Sequence, residues 1–496
     1  MTVALTLVIL GPLGGAVLVV AAGTADRWRR ATALLGLGVG VGAAIAVLTE
    51  VWGGDIVRTR GFEADPWRIG LALAAIVAGI AGLAAEPRQE GAAPLASTAG
   101  LLGAVAAACV AVTATDSVAL AGALVAGTLS FGLATVAHRA SARPAVWFAL
   151  ADVLVIAGLL VASGDGMRVP LRLEGNGSWL VLVGAALRIG AIPLTASIVR
   201  VVDERASVAA SGMVLRVQGL LLVSFVAPSS TVAVAASVAA ALAARVAARE
   251  ASASWASGAV FAIVVAGFGL GGVAAVLGAV LVAAGAFLAA LLVILGGDRV
   301  ASPALGAAPL GAILPGASIV ATTALARGVS STADLAAAIA LGLAVAWLAV
   351  AGVAGLRRAA SSAAHPAWLV VPGLAVLALA AVPEVTLDGV ARPVAAAIGA
   401  GRPLAEVPGA LPNGLGLAFV VAAAASLLAV LPARAVRDAG RDAARADGRP
   451  VRPGFVPDDR ARPFWVPATR AAVAFSFISV VLVGALSWVG VSRGFL

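Results

Sequence analysis

The chain reads as an all-α, polytopic integral membrane helix bundle of about sixteen transmembrane helices, one unit spanning residues 1–496. Three observations carry that reading. Hydrophobic residues make up 62% of the chain and charged residues 11%, with a mean hydropathy of +1.08, far more apolar surface than a single soluble core could use. Apolar runs of roughly 20 residues, the length that crosses a hydrocarbon core, recur from end to end with short polar breaks, so no segment is left for a soluble domain. Glycine and alanine are abundant inside these runs, which suits helices whose backbones must approach closely in lipid.

The first run, residues 3–23, has no basic stretch before it and exceeds the apolar core of a signal peptide, so it is expected to be a retained span. Further spans are expected at 31–48, 67–86, 96–114, 117–136, 145–163, 179–199, 207–226, 229–248, 256–275 and 276–296. Five more follow at 307–327, 334–356, 367–382, 413–433 and 471–491. In the seventh, Pro193 lacks the amide that would bond back to Ile189 and crowds that carbonyl, so the helix is expected to break there, with Gly190 easing the bend.

All 33 basic side chains are arginine, set against 24 acids, and they lie dispersed in membrane-flanking loops instead of forming one stripe, which argues against nucleic-acid binding. Odd-numbered loops, including 26-DRWRR-30, 138-HRASAR-143 and Arg357–Arg358, hold more than twice the arginines of the even ones. Positive-inside then places the odd loops in the cytoplasm and both termini outside, in the cell membrane. The segment 434–470 is a cytoplasmic loop whose Arg437, Arg441 and Arg445 alternate with Asp438 and Asp442, as on a short surface helix. It reads as a solvated connector or as a docking surface for a soluble partner or anionic headgroups. The Pro/Gly-punctuated stretch 383–412 is an exterior loop.

No catalytic constellation is present. The lone Cys109 excludes a disulfide framework, no His/Cys/Asp/Glu cluster has metal spacing, and no glycine-rich phosphate loop follows a strand, so neither cofactor nor metal is expected. His138 and His365 stand in loops beside span ends. Function therefore falls to three ionisable groups at mid-depth: Asp152 in span six, Arg188 in span seven and Arg216 in span eight. A central charge costs roughly 2.5–3.5 kcal/mol on insertion scales, so all three are expected around one interior polar patch, with Asp152 and Arg188 the pair in contact.

The segment 187-LRIGAIPLTASIVRVVDERASVAASGMVLRVQGLLL-222 resembles the signature region of the proton-translocating antiporter-like subunits of respiratory complex I and of multisubunit sodium/proton antiporters. In that family a lysine precedes a proline that breaks the seventh span, and a second lysine follows in the eighth; Arg188, Pro193 and Arg216 hold the matching places. The stretch 57-VRTRGFEADPWRIGLALAAIVAGIAGL-83 resembles the family's exterior hairpin and the aspartate opening span three, and 143-RPAVWFALADVLVIAGLLV-161 sets Asp152 at a family aspartate. Residues 249–272 and 365–382 resemble two later stretches.

The departures matter as much. The family's span-five glutamate has no counterpart in 117-SVALAGALVAGTLSFGLATVA-137, Glu250 stands where the family has a lysine, and Ala284 and Leu288 replace a histidine and a lysine. The resemblance implies a subunit of a complex I-like or antiporter-like assembly, with no catalytic site of its own, working in the bilayer beside other membrane subunits of a translocase of the NADH–quinone oxidoreductase type. Ion-pathway candidates are Asp152, Arg188, Arg216, Pro193 and Glu250. Since a guanidinium does not release its proton near neutral pH, the lysine relay is expected to be largely lost. Two other readings stand beside proton or cation translocation: uptake of an anion such as bicarbonate, bound by fixed guanidinia, and a non-conducting scaffold.

Overall fold

The computed structural model describes residues 2–360 apart from connecting stretches, chiefly 164–172, 192–205 and 297–312. Expected spans 367–382, 413–433 and 471–491, the loops 383–412 and 434–470, and Pro193 lie outside the described residues. Within them the chain forms 13 helices, each matching one of the first thirteen expected spans. In order they are α1 Thr2–Ala22, α2 Asp26–Val51, α3 Pro66–Ala85, α4 Ala92–Thr113, α5 Ser117–Ala137, α6 Arg143–Ser163 and α7 Asn176–Ile189. After these come α8 Ala206–Phe225, α9 Ser230–Glu250, α10 Ala253–Leu270, α11 Val273–Gly296, α12 Leu314–Gly328 and α13 Thr332–Ala360. Among the described residues, 9 helices are long and apolar enough to cross a membrane.

Local chemistry sets several helix ends. Asp65 caps α3, its carboxylate accepting the Arg68 amide at 2.8 Å, with Pro66 in the first turn where a missing N–H is harmless. Asp116 caps α5 through the amides of Val118 and Ala119, at 2.6 and 3.3 Å. The stretch expected as a hairpin forms one: β1 (Val57–Thr59) pairs antiparallel with β2 (Phe62–Ala64) around Gly61, whose φ of 80° suits only a residue without Cβ. Arg68 locks the hairpin end of α3 to α4, donating to the Ala114 carbonyl at 3.0 Å while its guanidinium lies 5.6 Å from the Phe225 ring. Gly271 and Gly272, both at positive φ, separate α10 from α11 within what reads as a nearly continuous apolar run.

Apolar side chains fill the core and also cover the outside. Val118, Leu129 and Val136 on α5 and Val153 and Leu160 on α6 point outward, while the buried set includes Arg29, Arg68, Asp152, Arg188 and Gln218. Helix α8 is enclosed by α3, α4, α5 and α7. Small residues make that enclosure possible: a Cβ on Gly82 of α3 would fall 2.4 Å from the Ala210 Cβ of α8. The neighbour pattern of α4–α8 recurs in α9–α13. In the first set α4 packs on α5 and α8, α6 on α7, and α7 on α8; in the second α9 packs on α10 and α13, α11 on α12, and α12 on α13. The α6–α7 and α11–α12 contacts share one device, since a Cβ on Gly158 would lie 2.7 Å from the Gly177 carbonyl oxygen and one on Gly278 would lie 2.7 Å from that of Gly316.

Candidate functional site: a buried arginine–aspartate centre

Helix α7 is only 14 residues long, short of the roughly 20 needed to cross a bilayer, and the sequence at its end explains why it stops. Gly190 takes φ 77°, its N–H bonding to the Leu187 carbonyl at 3.1 Å and that of Ala191 to Ala186 at 2.9 Å. This pair of bonds around a left-handed residue terminates a helix by satisfying its last carbonyls. The stop therefore lies at Gly190, ahead of Pro193. Arg188 sits in this last turn, where the helix dipole favours a cation.

Its side chain is completely enclosed at 0% exposure, and Asp152 opposite it on α6 is 3% exposed. One guanidinium nitrogen, Nη1, donates to Asp152 Oδ1 and lies 3.4 Å from the Thr128 hydroxyl; that hydroxyl in turn donates to Asp152 Oδ2 at 2.6 Å. The other, Nη2, donates to Gln218 Oε1 and to the Leu124 carbonyl at 3.2 Å. Helices α5, α6 and α8 thus all bond to one residue of α7. The Phe148 ring stands 5.9 Å from the guanidinium carbon, and glycines clear the space, a Cβ on Gly127 falling 3.1 Å from Gln218 Nε2 and one on Gly219 3.2 Å from Arg188 Cβ. Arg188 Nε and Gln218 Nε2 have no hydrogen-bond partner among the described residues. Chemically this is a closed ion pair: the carboxylate's charge is met, and the guanidinium holds its proton at any ordinary pH.

The expected Asp152–Arg188 contact is present. Arg216 departs from the expected patch: it turns toward α10, its Nη1 3.4 Å from Ser257 Oγ and its guanidinium 5.6 Å from the Phe261 ring, and no bond joins it to Asp152 or Arg188. The physical reason is helical spacing, because Arg216 and Gln218 are two residues apart and so cannot share a face. Glu250 closes α9, at a helix end and not at mid-depth; its side chain lies outside the described residues.

Thr128 and Gln218 were not singled out by sequence, where neutral polar residues blend into an apolar helix. Arg327 was missed as well, although a signal existed. It occupies the last turn of α12 at the same remove from Gly316 as Arg188 from Gly177, in the corresponding helix of the second set. There it donates to the carbonyls of Leu270 and, at 3.0 Å, Gly271, tying α12 to the end of α10.

These features define a polytopic, all-α membrane protein with charged groups packed at its interior. No protein-family model matches the chain, and no curated protein does. Solved structures do. A chain of respiratory complex I from Thermus thermophilus, solved with bound aureothin, superposes with a TM-score of 0.58 at 17% identity, covering 78% of this chain and 98% of that one. A chain of the membrane-bound sulfane sulfur reductase, an archaeal respiratory membrane complex, gives 0.57 at 15% identity over 76% and 75%. One from the Mrp complex of Dietzia sp. DQ12-45-1b gives 0.55 at 15% identity, covering 97% of this chain and 63% of that one. The fold is that of the antiporter-like membrane subunits of such complexes, as the resemblance in the sequence implies.

Proposed function

We propose that the chain is a membrane subunit of a multisubunit, ion-translocating assembly of the complex I or antiporter type, in which the mid-membrane centre has become a fixed ion pair in place of a lysine proton relay. The carrying observation is that Asp152 meets the charge of Arg188 while Gln218 and the Leu124 carbonyl take its other terminal nitrogen. A relay needs a group that gains and loses a proton near neutral pH, and neither a guanidinium nor a carboxylate locked against one does so. Proton or cation movement then depends on partner subunits or on water beside the pair, with arginine-rich loops facing the cytoplasm. The anion reading finds no support at Arg188, whose charge Asp152 already meets; it rests on Arg216, which bonds the Ser257 hydroxyl and, among the described residues, no carboxylate.

The test is proton flux into liposomes holding the purified chain under an imposed pH gradient, with and without a sodium gradient. No flux above empty liposomes is expected from the chain alone. Robust flux abolished by Asp152→Asn would sink the fixed-pair reading, and purification from its own membranes without any accompanying membrane subunit would sink the assembly reading.

A further inference from the structure

At the end of the bundle where α3 and α5 finish and α8 starts, three helix termini converge on a buried acid and a buried imidazole. Glu86 follows α3 directly and is 7% exposed. Its Oε2 accepts the backbone N–H of Ser207 at 3.0 Å, in the first turn of α8, where amides have no partner within their own helix. Its Oε1 lies 3.5 Å from Nε2 of His138, the residue ending α5, whose side chain is 4% exposed. The close α3–α8 approach at Gly82 is what delivers the carboxylate to that turn.

We propose that Glu86 and His138 form a proton-binding site at this end of the bundle, one proton being taken up on the imidazole and held against the carboxylate. With the proton bound, the two side chains are an imidazolium and a carboxylate, neutral as a pair and therefore tolerable when buried. Without it, the carboxylate keeps the Ser207 amide and the imidazole is neutral. Among the described residues, α2, α4 and α8 bring further polar groups to this end of the bundle. From α2, Arg30 donates to the Glu86 carbonyl at 2.8 Å and is itself tied to Asp26 at 3.0 Å, and Arg29 binds the same aspartate. From α4 and α8 come the hydroxyls of Ser97 and Ser207, 2.7 Å from each other, with Ser211 one turn deeper on α8 bonded to the Ser207 carbonyl. The site thus offers what the Arg188 centre lacks, a side chain that can take up and release a proton. It stands whether or not the chain moves protons across the bilayer.

The chain has 2 histidines, so nitrogen NMR of histidine-labelled protein in nanodiscs gives two imidazoles to assign, and His138→Gln identifies one by its loss. In the wild type the His138 imidazole should take up its proton within the ordinary histidine window, about pH 5 to 8. Glu86→Gln should lower its midpoint by about one pH unit, a tenfold loss of proton affinity, because an opposite charge at this range favours the charged form. Should that variant fail to fold, Glu86→Asp, which keeps the charge but withdraws it, should lower the midpoint by less. An imidazole that does not titrate in this window, or a midpoint unmoved by either variant, overturns the proposal.

Discussion

At the scale of single residues, the Arg188–Asp152 pair should behave as a unit. Asp152→Asn or Arg188→Ala leaves a buried charge without its counterpart, at a cost of about 3–5 kcal/mol. Replacing both by apolar residues of similar volume, Asp152→Leu with Arg188→Met, removes the desolvation burden along with the attraction. That double variant should recover much of the loss. Thermal unfolding in nanodiscs across the four proteins of the cycle reads this directly, and additive losses would show that the two side chains are not coupled. Gly219→Ala should cost about 1–3 kcal/mol by overpacking, since the new methyl would sit 2.5 Å from Ile189 Cγ2.

At the scale of elements, the stop of α7 and the start of α5 each rest on one residue. Gly190 holds φ 77°, so Gly190→Ala should destabilise by about 1 kcal/mol, and more if the strain shifts Arg188 in the same turn. Asp116→Ala should cost about 1 kcal/mol by exposing the first amides of α5, whereas Asp116→Asn should be nearly neutral because an amide oxygen caps as well. Equal losses from the two substitutions at Asp116 would show that charge, not capping, matters there. Both helices carry Arg188 partners or Arg188 itself, so these small costs fall on the elements that build the centre.

At the scale of the whole molecule, the arginine distribution predicts which end faces the cytoplasm. Cys109 is the chain's 1 cysteine and is buried, so single introduced cysteines can be labelled against low background once it is replaced. Arg27→Cys, in the first turn of α2, should react with an impermeant maleimide only when the cytoplasmic face is open. Arg58→Cys, on the hairpin and 67% exposed, should react from outside in intact cells. The reversed pattern would invert the orientation and place the Glu86–His138 site on the other face.

Much of this architecture was legible in the chain because lipid imposes a local rule: each span must satisfy its own backbone and present apolar side chains, and both demands are written in about 20 consecutive residues. Helix positions and the rarity of buried charge follow from that rule, whereas the hairpin at 57–64 and the aspartate opening α3 were implied by the family resemblance. The Asp152–Arg188 contact could be expected for the same reason, since two such charges in adjacent spans have few other ways to be neutralised. Tertiary structure decided what spacing along the chain does not encode. It turned Arg216 toward α10 while Gln218 faced Arg188, stopped α7 at Gly190 ahead of Pro193, and gave Arg188 its Thr128 and Gln218 partners. It also brought Glu86 and His138 together from helices α3 and α5. Which face of a helix meets which neighbour depends on where small residues such as Gly82, Gly127 and Gly219 let backbones close in, and that is a property of pairs of helices, not of either one alone.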